Sequence, residues 1–149
     1  MKDPKLLETM KEYKGRDEVP TDFDSFWDQA LANLTELPEY KLEEQDFSIP
    51  NVHCYELTFK GTRDGLVYAR VVFPKTDQKI PVIFHFHGYM GRCWDWTDML
   101  AYTAAGYGVV SMDVRGQSGY STDGVRSPLG NTVKGQIIRG AVEGPHELF

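Results

Sequence analysis

The sequence predicts an α/β fold on a mixed sheet, antiparallel at its start and parallel in its continuation. Two β-rich runs, 52–60 and 66–73, flank a short polar break and read as an antiparallel hairpin. Further on, an apolar run, a helical stretch and a second apolar run follow one another within about 30 residues, the pattern of a βαβ unit with parallel strands and a right-handed crossover. Hydrophobic residues at 41% and charged residues at 26% supply a core without the polarity of a disordered chain. A length of 149 residues suits one domain.

The first predicted helix opens at Thr21, which can cap it, with Asp24 completing a capping box. Phe23, Phe26, Trp27, Ala30, Leu31 and Leu34 then recur at helical spacing, and Pro38 ends the run. One apolar face results, expected to pack on a core. Val52 to Lys60 and Leu66 to Phe73 are the hairpin strands, turning at Arg63-Asp64-Gly65. Pro74 to Pro81 is a polar connection. Val82 to His87 is short and almost continuously apolar, as expected of a strand buried on both faces. Asp95 to Ala105 reads as a helix that Gly106 stops, and Tyr107 to Asp113 as the second buried strand. A glycine-rich loop follows from Arg115 to Gly130, and Gly135 to Leu148 carries no clear pattern.

Charge and composition exclude several functions. The net charge is −6, and its acidity lies in residues 1–60, with 14 acidic against 7 basic side chains. No basic patch offers a nucleic-acid footprint. No apolar run reaches the roughly 20 residues of a membrane helix, and the charged start has no secretory h-region. Cytoplasmic localisation is therefore the expectation. Cys54 and Cys93 are too few and too far apart for a disulfide framework or a structural zinc site. Asn33-Leu34-Thr35 matches a glycosylation sequon and reads as helix surface.

In parallel sheets ligands sit beyond the carboxyl ends of the strands. Two loops leave such ends: His87-Gly88-Tyr89-Met90-Gly91-Arg92 and Asp113-Val114-Arg115-Gly116-Gln117-Ser118-Gly119. Glycine lets backbone approach a ligand and present N–H groups to it. An oxyanion hole needs such donors, fixed where negative charge develops. His-Gly after a buried strand is a recurrent feature of α/β hydrolases, whose following loop gives one oxyanion N–H.

Together, His87-Gly88-Tyr89, Gly91-Arg92, Trp96, Ala104-Ala105-Gly106, Met112-Asp113-Val114-Arg115-Gly116-Gln117, Gly130-Asn131-Thr132 and Ile137-Ile138-Arg139-Gly140 resemble the acetyl xylan esterase / cephalosporin-C deacetylase family. Asp22-Phe23-Asp24-Ser25-Phe26-Trp27 is similar to that family's amino-terminal helix. The resemblance implies the amino-terminal part of an α/β-hydrolase fold, with a helical segment 1–40 and the first half of the sheet with its covering helix in 41–149. It implies a serine esterase that removes acetyl groups from xylo-oligosaccharides and cephalosporin C, needs no metal or cofactor, and assembles as a homo-oligomer, commonly a hexamer. It places Tyr89 in the oxyanion hole through its backbone N–H. His87, Gly88, Asp113, Arg115, Gly116 and Gln117 become motif residues of structural role, with Arg115-Gly116-Gln117 bracing the active-site loops.

The sequence also departs from the family. Members are about twice as long, and the Gly-x-Ser-Gln-Gly segment with the nucleophile, the triad Asp and the later His-Glu have no counterpart here. The chain resembles an amino-terminal half, and alone it is expected to be inactive, since attacking group and general base are both missing. Strand 82–87 is expected to present an open edge that pairs with a missing carboxy-terminal half or with an identical copy. Alternatives are a non-catalytic remnant or interaction module, and another α/β hydrolase acting on peptides or lipids.

Several features invite other readings. Gly116-Gln117-Ser118-Gly119 is not a nucleophile elbow, because Tyr120 stands where the second Gly belongs. His146-Glu147 mimics the late His-Glu but follows the Ile-Ile-Arg-Gly segment too closely. His85 and His87 share a strand face without a third metal ligand at convincing spacing. Trp94 and Trp96 read as packing residues. Gly106-Tyr107-Gly108 does not extend to a dinucleotide fingerprint.

Overall fold

The computed structural model describes residues 3–34, 37–124 and Gly144. Gly130-Asn131-Thr132, Ile137 to Gly140 and His146-Glu147 lie outside them. The chain divides into two compact units, Met1–Leu34 and Thr35–Phe149.

The first unit carries helices α1 (Pro4–Glu12) and α2 (Phe23–Ala32). The sequence reading missed α1, although Asp3-Pro4 signals it. Asp3 caps the helix by accepting the Lys5 N–H at 2.9 Å, and Pro4 fits the first turn, where no N–H is needed. Helix α2 differs from expectation at both ends. Its N-cap is Asp22, not Thr21, and no side chain caps it. It ends at Ala32, well before Pro38, with the Asn33 N–H reaching the Gln29 carbonyl at 3.3 Å. No residue of either helix is buried, so the core packing expected of the α2 face does not occur within this unit. Locally, Trp27 meets Phe23 and Phe26 edge-on.

The second unit is built on five strands: β1 (Tyr40–Glu44), β2 (Val52–Lys60), β3 (Leu66–Pro74), β4 (Val82–Phe86) and β5 (Gly108–Met112). Their order is β1-β2-β3-β5-β4. The β1, β2, β3 and β5 pairings are antiparallel, and β4 runs parallel to β5, with helix α3 (Trp96–Ala104) between them in sequence. This is the mixed sheet the sequence predicts.

Strands β2 and β3 pair along nine residues each, from Val52 opposite Pro74 to Lys60 opposite Leu66. Their turn is a 3₁₀ segment, Thr62–Asp64, in which Arg63 and Asp64 both take left-handed φ values, 54° and 58°. Helix α3 has the capping box of Asp95 and Asp98, and Gly106 at φ +90° closes it. Strand β1 was not foreseen. Its residues are all exposed, and its Tyr40–Leu42 alternation is short and set among charges, Lys41 and Glu43 pairing at 2.7 Å, so it does not read as a half-buried strand. Charge on an outer strand discourages pairing with another chain.

One expectation fails clearly. Strand β4 is not buried on both faces: Phe84 and Phe86 are 65% and 61% exposed. It closes the strand order and so lacks a second neighbour among the described residues. The open edge expected of this strand is thus present among the described residues, and its exposed phenylalanines lie on the sheet face opposite α3.

A core cluster lies on the α3 face, while Val67, Ala69 and Val71 of β3 are buried on the other. Cys54, Val72, Val109 and Met99 form a buried cluster, with Val52, Trp94, Trp96 and Leu100 packed around it. Strand register puts Cys54, Val72, Val109 and Ile83 in one row across four strands. The next row on that face is polar: Glu56, Arg70, Ser111 and His85.

Candidate functional site

The two glycine-containing loops leave the carboxyl ends of neighbouring strands, because β4 and β5 are parallel and adjacent. They form one hydrogen-bonded unit. The Gly91 N–H donates to the Gly88 carbonyl at 2.9 Å, closing a turn over Tyr89 and Met90. Met90 takes φ +61°, a conformation normally left to glycine and costing about 1–3 kcal/mol. Gln117 of the second loop supports it, its Oε1 accepting the Met90 N–H at 2.5 Å.

His87 anchors the start of that turn. Its Nε2 accepts the Val114 N–H at 2.9 Å, so Nε2 carries no proton. Nδ1 is then the protonated nitrogen, and it donates to the Gly88 carbonyl at 2.7 Å. Both ring nitrogens of His87 are thus engaged with backbone.

Asp113 holds the other end. It is fully buried. One carboxylate oxygen accepts the Cys93 N–H at 2.6 Å and the other the Tyr120 N–H at 2.7 Å. Its own N–H donates to the Tyr68 carbonyl at 2.9 Å, and its carbonyl accepts the Ser121 hydroxyl at 2.7 Å. Ser121 Oγ in turn accepts the Tyr68 N–H. Gly119 lies so close that a Cβ there would fall 2.1 Å from the Asp113 carboxylate.

Arg115 and Gln117 go separate ways, the chain turning at Gly116 with φ +66°. Arg115 reaches the β2–β3 turn, where its guanidinium donates to the Thr62 carbonyl and, at 3.0 Å, to the Thr62 hydroxyl. A Cβ at Gly65 would lie 2.8 Å from the Arg115 side chain. The Arg-Gly-Gln triplet therefore joins three segments: its own loop, the Tyr89 turn and the hairpin turn.

Beneath the loops lies a polar cluster that sequence reading did not find. Arg70 donates to the Trp94 carbonyl at 2.9 Å and to Asp95 at 2.8 Å, and stacks over Trp96 at 5.3 Å. Burial opposes its charge, but hydrogen bonds to Tyr68 and Asp95 outweigh this and hold the guanidinium firmly protonated. The same contact with Arg70, helped by Arg92, keeps the Asp95 carboxyl below the usual range. Ser111 Oγ accepts the Trp94 N–H at 2.8 Å and bonds His85 Nδ1 at 2.7 Å. Burial, and then His87, lowers the His85 pKa. Trp94 is stacked between His85 and Tyr102, and Trp96 also meets Phe47, so both tryptophans are packing residues. Burial first, then the charge and hydrogen bond of Asp113, push the Cys93 thiol up to about 12. An arginine inside the apolar run of β3 and a serine inside that of β5 were the available signals. Ser121 offered none.

Ser118 is half-buried in the loop after β5, and no helix follows within the described stretch to Gly124, so it does not sit on a strand-to-helix elbow. Among the described residues no three His, Cys, Asp or Glu side chains gather as a metal site, and no helix is long and apolar enough to cross a membrane. Hollows of about 220 Å³ near Phe47 and about 530 Å³ near Tyr55 lie away from these loops.

The mixed sheet, the parallel βαβ end and the paired loops at its carboxyl edge define a protein of the α/β-hydrolase type. The family model of acetyl xylan esterase (AXE1) matches residues 1–149, and the chain belongs to that family. It resembles acetyl xylan esterase 1 from Thermoanaerobacterium sp. JW/SL YS485, with 43% identity and a TM-score of 0.78 over 90% of this chain and 42% of that one. It is also similar to an acetyl xylan esterase from Paenibacillus sp. R4, with 28% identity and a TM-score of 0.68 over 82% of this chain and 40% of that one. The chain thus spans about two fifths of the length of these two enzymes.

Proposed function

We propose that this chain is the amino-terminal part of a serine acetyl esterase, and that it supplies the oxyanion loop but not the attacking serine. The observation that supports this best is the Tyr89–Met90 turn, tied to the loop after β5 by the Gln117 and His87 hydrogen bonds. Attack on an acetyl carbonyl puts negative charge on its oxygen. The Tyr89 N–H, at the carboxyl end of β4, is the donor assigned to that charge. One such donor is worth about 3–4 kcal/mol in the transition state. No Gly-x-Ser-Gln-Gly segment occurs in the 149 residues, so the serine and its His–Asp partners come from a carboxy-terminal portion. That portion pairs along β4, which ends the strand order and has no second strand neighbour among the described residues. The substrates are acetylated xylo-oligosaccharides and cephalosporin C, and the assembled enzyme is a cytoplasmic homo-oligomer.

The test measures hydrolysis of 4-nitrophenyl acetate and acetylated xylo-oligosaccharides. The chain is assayed alone and then joined to the carboxy-terminal portion of the Thermoanaerobacterium relative. The chain alone gives the buffer rate, and the joined protein turns over. Rapid turnover by the chain alone, or a folded joined protein that hydrolyses neither ester, contradicts the reading.

A further inference from the structure

We propose that Asp113 is the positioning residue of the oxyanion loop: its buried carboxylate locks segment 88–93 to the loop after β5 and so fixes the Tyr89 N–H.

A carboxylate taken fully out of water is costly unless hydrogen bonds replace its hydration, and an apolar residue in its place is often no less stabilising. Here the hydration is replaced by loop backbone. The two N–H groups it accepts, from Cys93 and Tyr120, belong to different loops. Bonds to an ionised acceptor are about twice as strong as neutral ones. The other ties between these loops, from Gln117 to Met90 and from Val114 to His87, use neutral acceptors.

The carboxylate is itself held from several sides. The Asp113 backbone is bonded to Tyr68 and Ser121, and Gly119 leaves only enough room for the carboxylate. The segment it holds also needs holding. Met90 stays in a left-handed conformation that a non-glycine residue does not keep unaided. Asp113 grips that segment three residues later, at Cys93, while Gln117 and His87 grip it at Met90 and at its start. With three anchors the Tyr89 N–H has one orientation; without the strongest, the turn can relax. Only the kinetic consequence of this rests on the esterase reading.

The first measurement is amide hydrogen exchange on the full chain, comparing the natural protein with Asp113→Asn. The asparagine NH₂ replaces one accepting oxygen and faces a backbone N–H, so that bond is lost. Exchange at 89–93 and at Tyr120 is expected to accelerate about tenfold, with β2 and β3 amides unchanged. Gly119→Ala, which pushes on the same carboxylate, is expected to reproduce that pattern. Unchanged rates at 89–93 in both variants, or equal acceleration throughout the sheet, overturn the proposal.

The second measurement uses the joined protein. Asp113→Asn is expected to lower kcat about 10- to 100-fold with KM within about twofold, because the oxyanion exists only in the transition state. An unchanged kcat, or a loss confined to KM, overturns it. If the unmodified joined protein is inactive, the esterase reading fails, and the exchange rates still decide for Asp113.

Discussion

The α3 face of the sheet carries two neighbouring rows made by the same strands with opposite chemistry. In one row Cys54, Val72 and Val109 are buried with Met99 of α3 against them. In the other, two residues away on each strand, stand Glu56, Arg70, Ser111 and His85. The apolar row joins elements to one another and needs no particular orientation. The polar row joins strands to the segment entering α3, at the Trp94 N–H, the Trp94 carbonyl and the Asp95 carboxylate. Burial keeps the unit folded, and directional bonds set where its loops stand. Position relative to the carboxyl ends of the parallel strands decides which chemistry appears.

The largest effect is expected from the apolar row. Met99→Ala should lower stability by about 2–5 kcal/mol, read from urea unfolding followed by circular dichroism. A loss below about 1 kcal/mol would mean that this cluster does not hold the sheet. Ser111→Ala should cost less, about 1–3 kcal/mol, because the Trp94 N–H is left without its acceptor. If it cost as much as Met99→Ala, the distinction between the rows would collapse.

A smaller effect separates the rows by pH. The folded state lowers the His85 pKa through burial, so it favours the neutral ring. That contribution is complete above the ordinary histidine value of about 6.5 and is lost as pH falls through it. Unfolding midpoints should therefore drop between about pH 7.5 and pH 5.5, and less so in His85→Gln. A drop of equal size in both proteins would remove His85 from the account. The smallest expected effect is no reaction at all. Cys54 and Cys93 are buried with raised thiol pKa values, so neither should react with a disulfide reagent at about pH 8 until urea unfolds the chain. Rapid labelling of Cys54 in the folded protein would show that the apolar row opens readily.

The apolar row was the legible one. Periodicity found β2, β3, α3 and β5, because each carries enough Val, Phe, Tyr or Leu to show its period. It failed at β1, whose alternation is hidden among Lys and Glu, and at α1, which is signalled only by its cap. It placed β4 but overstated its burial, because a run of apolar residues does not say whether its outward face is covered: Phe84 and Phe86 stand exposed on the face opposite α3. Of the site, the sequence marked His87, Gly88, Tyr89, Asp113, Arg115, Gly116 and Gln117, all in the two adjoining loops. Which atoms meet was not legible. The Asp113 bond to Cys93 and the Arg115 bond to Thr62 span 20 and 53 residues, and only strand register brings them together. Arg70 and Ser111 were hidden for the same reason: each is a polar residue in an apolar strand until its partner across the sheet is known.

The central claim is that this chain brings a prepared oxyanion loop and no nucleophile. The most direct test is intact-mass measurement after treatment with a serine-reactive fluorophosphonate. The chain alone should gain no adduct, and the joined protein should gain one, mapped to the added portion. An adduct on a serine of this chain, Ser118 above all, would contradict the account.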